Sequence, residues 1–407
     1  IEDLNLSMAN SVLSWQAING VESYAIYLND EQTSRYTVNA NYFDLKTITN
    51  FETLFVSGND YQISVKPVLN GTKNLIQSAN QIATKAFSKL AKPTLTCTNN
   101  VLSWNNVQNA VSYQVKVVDQ DKNIILNLAT TNNTIDFTSN VFESGKQYTA
   151  FVTANFVDGD IAYLSSEQAE YVVQKMPTVS VEIVNYNLVF SASIDHQYLI
   201  RILDADKQEL YSQTYTANVQ EMSISLLDLG LTLQSGEYSV EIKHFGNGSS
   251  SIDSAVTSIQ FVQLTTVDTA NIENGYINVE AGEFNNQHNA NIKIELIKDD
   301  TVLQTIDNGA DLNALNLDAG SYQIKVYVLG DNASIFSVLK NKQEKVCASL
   351  EFTVLPAPTI TTQADEPKFT INEVVGAISY NIIENDNVTN VQNLVYNFDL
   401  TSSANRV

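Results

Sequence analysis

The chain has 407 residues, enough for about three or four domains of ordinary size. Apolar residues make up 44% of it, so each domain can bury a core, while charged residues make up only 16%. The formal net charge of −23 argues against nucleic-acid binding, and no run of about 18 apolar residues is present, so we expect no membrane insertion.

Two tryptophans mark an internal repeat near the start of the chain. Trp15 and Trp104 both follow Val-Leu-Ser, and a tyrosine comes nine residues later in each case, at Tyr24 and Tyr113. The same frame continues with a bulky apolar residue at each equivalent position: Trp15, Trp104, Phe190, Val279 and Ile371. The steps are 89, 86, 89 and 92 residues, which indicates a tandem array of modules of similar size.

A second marker lies later in each copy. A glycine turn precedes a run that begins with tyrosine and alternates between apolar and polar residues. The four tyrosines are Tyr61, Tyr148, Tyr238 and Tyr322. A period of two is typical of a β-strand with one buried face. Each copy contains about seven such short runs with turn residues between them, which predicts a β-sandwich with these tyrosines near the penultimate strand, as in a tyrosine corner.

Prolines at three of the four junctions help to place the module boundaries. The predicted modules are residues 1–91, 92–175, 176–263 and 264–356, with a truncated fifth module at 357–407. The fifth copy ends before its glycine–tyrosine strand, so we expect the chain to be a fragment of a longer protein. The predicted fold is therefore all-β, an elongated array of about four and a half sandwich modules.

These motifs resemble the fibronectin type III superfamily, or more broadly immunoglobulin-like sandwiches. Leu-Ser-Trp, then Ser-Tyr, then Gly-x-x-Tyr is similar to the divergent modules of bacterial cell-surface and secreted proteins. The resemblance implies a non-enzymatic stalk or adhesion segment of an extracellular protein. Its partners would be a surface protein or glycan of a host or neighbouring cell, or other modules of the same chain. The first alternative is an accessory glycan-binding region of a secreted multidomain enzyme whose catalytic domain lies elsewhere. The second alternative is a specific protein-binding receptor.

Acidic clusters are the first candidates for a chemical site. Carboxylates at 119–121, 204–206 and 299–300 resemble calcium ligands, as does the Asp158-Gly159-Asp160 loop. The first three clusters, however, occupy equivalent places after a predicted strand, where hairpin turns favour Asp and Asn. We therefore interpret these three as turns. The sequence predicts no catalytic, cofactor-binding or metal-ligating residue, and no cofactor.

The remaining candidates have simple structural interpretations. The three histidines, His196, His244 and His288, lack metal-ligand spacing and are expected at scattered surface or strand positions. Cys97 and Cys347 are expected to be free thiols, and the two tryptophans to be core residues rather than sugar platforms. Four loops before the last strand of a module are candidates for recognition: Asn70-Gly71-Thr72, Asp158-Gly159-Asp160, Gly246-Asn247-Gly248-Ser249 and Gly330-Asp331-Asn332.

Overall fold

A computed structural model describes residues 4–69, 82–157, 162–362, 368–384 and 387–397. Within these ranges the chain forms consecutive two-sheet sandwiches, so the predicted all-β tandem fold is confirmed. Helices are short, and none in the described part of the chain is long and apolar enough to cross a membrane.

The first sandwich sets the pattern for those that follow. Its strands are β1 (Ser7–Ala9), β2 (Val12–Ser14), β3 (Ser23–Leu28), β4 (Tyr36–Val38), β5 (Tyr42–Asp44), β6 (Asp60–Val68) and β7 (Ala83–Lys89). A 3₁₀ helix (Leu45–Thr47) and helix α1 (Phe51–Leu54) connect β5 to β6. One sheet has the order β1-β2-β5, and the facing sheet contains β7-β6-β3-β4.

The second and third sandwiches repeat this order. The second contains β8 (Leu95–Thr98), β9 (Val101–Trp104), β10 (Ser112–Asp119), β11 (Ile124–Thr130), β12 (Thr134–Asp136), β13 (Gln147–Asn155), β14 (Ala162–Leu164) and β15 (Ala169–Lys175). The third contains β16 (Val181–Val184), β17 (Asn187–Ser191), β18 (Gln197–Asp204), β19 (Glu209–Thr216), β20 (Glu221–Ser225), a 3₁₀ helix (Leu226–Asp228), β21 (Gly236–His244), β22 (Ser251–Ile252) and β23 (Thr257–Gln263).

The fourth sandwich keeps the larger sheet and simplifies the smaller one. It contains β24 (Thr269–Glu273), β25 (Tyr276–Glu280), α2 (Glu283–Gln287), β26 (Asn291–Lys298), β27 (Thr301–Ile306), a 3₁₀ helix (Leu312–Leu315), β28 (Gly320–Leu329), β29 (Ile335–Phe336), β30 (Leu339–Lys340), β31 (Gln343–Glu344) and β32 (Ala348–Val354). Its smaller sheet is the hairpin β24-β25, and its larger sheet has the order β27-β26-β28-β32.

A fifth unit follows with a similar start. Its strands are β33 (Ile360–Thr362), β34 (Lys368–Ile371), β35 (Tyr380–Glu384), β36 (Asn387–Val391) and β37 (Val395–Asn397). The order β33-β34-β37 matches the smaller sheet of the first three sandwiches, and β35-β36 matches the start of their larger sheet.

The cores form where the alternating strands of the two sheets face each other. In β13, every second residue from Tyr148 to Ala154 is buried. The residues at the tryptophan position are buried in every unit: Trp15, Trp104, Phe190, Val279 and Ile371. Their shared burial explains why the repeat tolerates a change of residue but keeps bulk and apolarity.

The tyrosine-corner prediction is confirmed by the hydrogen bonds of the penultimate strands. The Tyr148 hydroxyl accepts a hydrogen bond from the Glu143 N–H (2.6 Å), and the Tyr322 hydroxyl donates to the Asp318 carbonyl (2.7 Å). Tyr61 and Tyr238 make the corresponding contacts with Val56 and Gln234. These bonds fix the corner that leads from one sheet to the other.

Candidate functional site

Three short strands cross from one sandwich to the sheet of the sandwich before it. β14, β22 and β29 lie between the last two full strands of the second, third and fourth sandwiches. Each pairs in parallel with the last strand of the preceding sandwich, namely β7, β15 and β23. We call residues 162–167, 250–255 and 334–339 the crossing segments. Five residues link the main strands at each of these junctions, so consecutive sandwiches are connected both covalently and by strand pairing.

The backbone hydrogen bonds of the crossing segments repeat from junction to junction. The residue after each last strand donates its N–H to a crossing carbonyl: Leu90 to Leu164 (3.0 Å), Met176 to Ile252 (2.8 Å) and Leu264 to Phe336 (3.2 Å). Two residues before Met176 and Leu264, the N–H groups of Gln174 and Val262 donate hydrogen bonds to the carbonyls of Ser250 (2.9 Å) and Ser334 (2.8 Å). The same register at three junctions makes the pairing a constant feature of the array.

A large apolar side chain of each crossing segment completes the core of the preceding sandwich. These plug residues are Leu164, Ile252 and Phe336, with 1%, 0% and 0% of their surface exposed. Each belongs to the hydrophobic cluster of its neighbour rather than of its own sandwich. The Phe336 ring stacks on Phe261 (centroids 4.6 Å apart) and meets Tyr186 edge-on (4.8 Å). Burial of such a side chain stabilises a structure by about 1.5–3 kcal/mol.

The candidate recognition loops make a further contact at the same junctions. The Asn100 N–H binds the Gly248 carbonyl (3.1 Å), and the Tyr186 N–H binds the Asn332 carbonyl (3.0 Å). Asn100 and Tyr186 occupy equivalent hairpin turns between the first two strands of their sandwiches. Two of the four predicted loops therefore contact the neighbouring sandwich. The other two, at 70–72 and 158–160, lie outside the described residues.

Buried lysines lie beside two of the crossing segments. Lys89 and Lys175 end their last strands at equivalent positions, and each is 2% exposed. The Lys89 ammonium donates to the Phe55 carbonyl (2.7 Å) and pairs with Glu52, while that of Lys175 donates to the Phe137 carbonyl (2.9 Å). Burial lowers the pKa of Lys175. Such lysines are stable inside because backbone carbonyls replace water around the charge, and the sequence pattern did not indicate them.

The three acidic clusters lie at hairpin turns, as the repeat frame predicts, and Asp119 and Asp204 stabilise theirs. One Asp119 carboxylate oxygen accepts hydrogen bonds from the Asp121 and Asn123 N–H groups, both at 2.9 Å, and the other from the Asn123 side chain (3.0 Å). These hydrogen bonds lower the pKa of Asp119. Asp204 accepts from the Gln208 N–H in an equivalent turn. Among the residues that the structure describes, no group of three or more His, Cys, Asp or Glu side chains could hold a metal ion.

Two histidines that are 48 residues apart in the sequence lie in contact. Nδ1 of His196 and Nε2 of His244 are 2.8 Å apart, and Nδ1 of His244 lies 3.3 Å from the Pro177 carbonyl oxygen. Burial lowers the pKa of His244 because a charged ring there would lose its hydration. The third, His288, lies 3.6 Å from Glu237 of the preceding sandwich. The expectation of a surface or strand position holds for His244, which ends β21, whereas the sequence did not indicate its contact with His196.

The tryptophans and cysteines have the structural positions that were predicted. Trp15 and Trp104 are 4% and 5% exposed, and each packs edge-on against the tyrosine nine residues later. Cys97 and Cys347 are both free thiols, and burial raises the pKa of each. The indoles are therefore core residues and are not available for stacking on a sugar.

Comparison with known proteins finds likeness in solved structures. The FN1–FN3 domains of chicken CNTN1 are 11% identical over 65% of this chain and 98% of theirs, with a TM-score of 0.21. A two-domain fibronectin type III segment of chicken tenascin is 12% identical over 42% of this chain and 98% of its own, with a TM-score of 0.18. The chicken interferon gamma receptor alpha chain is also 12% identical, over 42% of this chain and 97% of its own, with a TM-score of 0.18. The sequence matches no protein-family model and no curated protein.

The chain is a tandem array of two-sheet β-sandwiches. This description rests on the strand order of the chain itself: a smaller sheet, of three strands in the first three sandwiches and of two in the fourth, faces a larger sheet whose order repeats from unit to unit.

Proposed function

We propose that the chain is a non-enzymatic stalk, a stiff spacer built from modules with boundaries near residues 91, 175, 263 and 356. The observation that supports this function is the crossing segment, which recurs at three consecutive junctions with the same register. A five-residue link alone would act as a hinge. A second connection through strand pairing and a buried plug residue opposes bending, because bending would break backbone hydrogen bonds and open a core.

Spin-label distance measurements across one junction test this stiffness. Cysteines would replace Val111 in the second sandwich and Val219 in the third, which are 49% and 47% exposed, in a chain with Cys97 and Cys347 changed to alanine. A stalk gives one narrow distance distribution. The matched control adds Ile252→Ala, which removes the plug residue between the labels and should broaden the distribution. A distribution that is broad before this change would contradict the proposal.

We further propose that this stalk belongs to an extracellular surface protein of bacterial type, where it presents a binding module to a protein or glycan of a neighbouring cell. The likeness of the Leu-Ser-Trp and Gly-x-x-Tyr motifs to modules of such proteins supports this location. Antibodies raised against the purified chain should label intact, unpermeabilised cells of the source organism. Labelling that requires permeabilisation would contradict an extracellular location.

A further inference from the structure

The last strand of the fourth sandwich has an open edge. β32 is the terminal strand of its sheet among the described residues, whereas β7, β15 and β23 each have a crossing strand at this place. Thr353 pairs with Ser321 in the same register in which Val262 pairs with Glu237. The N–H groups of Thr353 and Leu355 therefore point away from the sheet, as those of Val262 and Leu264 do at an occupied junction.

The apolar side chains along this edge lack the cover that their equivalents have. Leu355 is 40% exposed, whereas Leu90 and Leu264 are 3% and 2% exposed. Phe352 stacks on Tyr322 with centroids 5.3 Å apart, the same separation as in the Phe261–Tyr238 pair. Phe261 is nevertheless fully buried under Phe336, while Phe352 is only half-buried. Phe352 is therefore more exposed than Phe261 because no plug residue covers it, and not because the two ring pairs pack differently.

The hairpin turn that receives the recognition loop is also present. Asn274 and Gly275 have φ angles of 52° and 85°, close to the 47° and 63° of Asn185 and Tyr186. At the occupied junction the N–H of Tyr186 binds the Asn332 carbonyl. The equivalent N–H in the fourth sandwich belongs to Gly275. The edge thus offers three backbone donors in the arrangement that binds a crossing segment elsewhere in the chain.

We propose that the open edge of β32 is a docking site for the crossing segment of a following sandwich. This segment pairs in parallel with β32 and places a large apolar plug residue against Phe352. Continuity with three established interfaces supports this occupant. The fifth unit has the first five strands of a sandwich, and its Gly376 lies against the side chain of Leu355 at this edge. The ligand is an extended peptide with a small residue two positions before a large apolar one, as in Ser334–Phe336. The proposal extends the stalk function, but its test does not depend on the stiffness of the other junctions.

Hydrogen exchange of the 407-residue chain with a synthetic peptide tests the docking site. The peptide has the sequence of residues 331–340, Asp-Asn-Ala-Ser-Ile-Phe-Ser-Val-Leu-Lys. With the peptide near 1 mM, the amides of Thr353 and Leu355 should exchange at least about threefold more slowly, while the edges of β7, β15 and β23 should not change because they are already paired. A peptide with serine in place of its phenylalanine is the matched control and should give no protection.

Two chain variants separate edge pairing from other binding. Thr353→Pro removes one donor of the edge and should abolish the protection at Leu355, whereas Thr353→Ala keeps the donor and should preserve it. Protection that is absent with the native peptide, or that persists in Thr353→Pro, overturns the proposal. The proposal is also overturned if these amides are protected from exchange without peptide and the protection grows with chain concentration. The occupant would then be a second copy of the chain.

Discussion

Tyrosine hydroxyls hold the loops of each sandwich at fixed positions. One set of tyrosines lies at the start of the third strand of a sandwich. There the hydroxyls of Tyr24 and Tyr113 accept hydrogen bonds from the N–H groups of Ile18 and Val107, both at 2.9 Å. Tyr198 and Tyr380 make the corresponding hydrogen bond with the residues before their strands. The ring packs in the sandwich and the hydroxyl binds the backbone, so one residue has two roles. These two roles explain why tyrosine recurs at this position in four of the five units.

Trp104 should contribute strongly to the stability of the second sandwich. Trp104→Ala removes a side chain that is 5% exposed and should lower the free energy of unfolding by about 3–5 kcal/mol, because the core cannot close around so large a cavity. Urea unfolding followed by circular dichroism would measure the change. The matched control is Trp104→Phe: the buried indole N–H has no hydrogen-bond partner among the described residues, so this variant should lose much less. Similar losses in both variants would contradict a core role.

His244 should make the stability of the third sandwich depend on pH. Its pKa is lowered in the folded protein, so below about pH 6.5 the unfolded chain takes up a proton more readily than the folded one. Above that pH the ring is neutral in both the folded and the unfolded chain, so its full contribution to the free energy of unfolding is present. The free energy of unfolding should therefore fall as the pH drops from 7.5 to 5.5, by at most about 1.4 kcal/mol per pH unit.

The neighbours of His244 influence its protonation. His196 faces it at 2.8 Å and disfavours its protonation, while the Asp253 carboxylate and the Pro177 carbonyl favour it. His244→Gln cannot titrate and should flatten the pH profile of unfolding. An equally steep profile in this variant would assign the pH dependence to other groups.

Ile252 should stabilise a sandwich other than its own. It belongs to the third sandwich by sequence, but its side chain lies in the cluster that contains Trp104. In a Trp15→Phe background, Trp104 is the only tryptophan and reports on the second sandwich. Ile252→Ala should shift the unfolding seen by Trp104 fluorescence by about 2–5 kcal/mol. Val256→Ala, at a site that is 45% exposed, is the control and should shift it by less than about 0.5 kcal/mol.

The main strands were predictable and the crossing strands were not. Runs such as β13 have nine residues and a clear period of two, and the tryptophan and tyrosine positions recur in one frame. β22 and β29 have two residues each, which is too short for any periodicity. Their burial depends on a neighbouring sandwich, which no local pattern encodes. The glycines of the loops indicated recognition, and the two candidate loops that the structure describes contact the preceding unit of the same chain.

The surface of the whole molecule is consistent with an array rather than a compact body. Its accessible surface is 23,611 Å², whereas a compact monomer of this mass would expose about 15,700 Å². The net charge of −23 is spread over this surface and opposes folding back of one sandwich on another. Two causes could therefore extend the molecule: charge repulsion, which salt screens, and the crossing segments, which salt leaves in place.

Small-angle scattering at two salt concentrations distinguishes these causes. A compact chain of this length would have a radius of gyration of about 22 Å. Sandwiches of about 30–40 Å placed end to end would reach roughly 150 Å, which corresponds to a radius of gyration of roughly 43 Å. Raising the salt from about 0.1 to 1 M shortens the screening length from about 10 to 3 Å. Because strand pairing and buried plug residues connect the sandwiches, the radius of gyration should stay near its larger value in both solutions. A value that approaches 22 Å in high salt would mean that charge, and not the crossing segments, keeps the array extended.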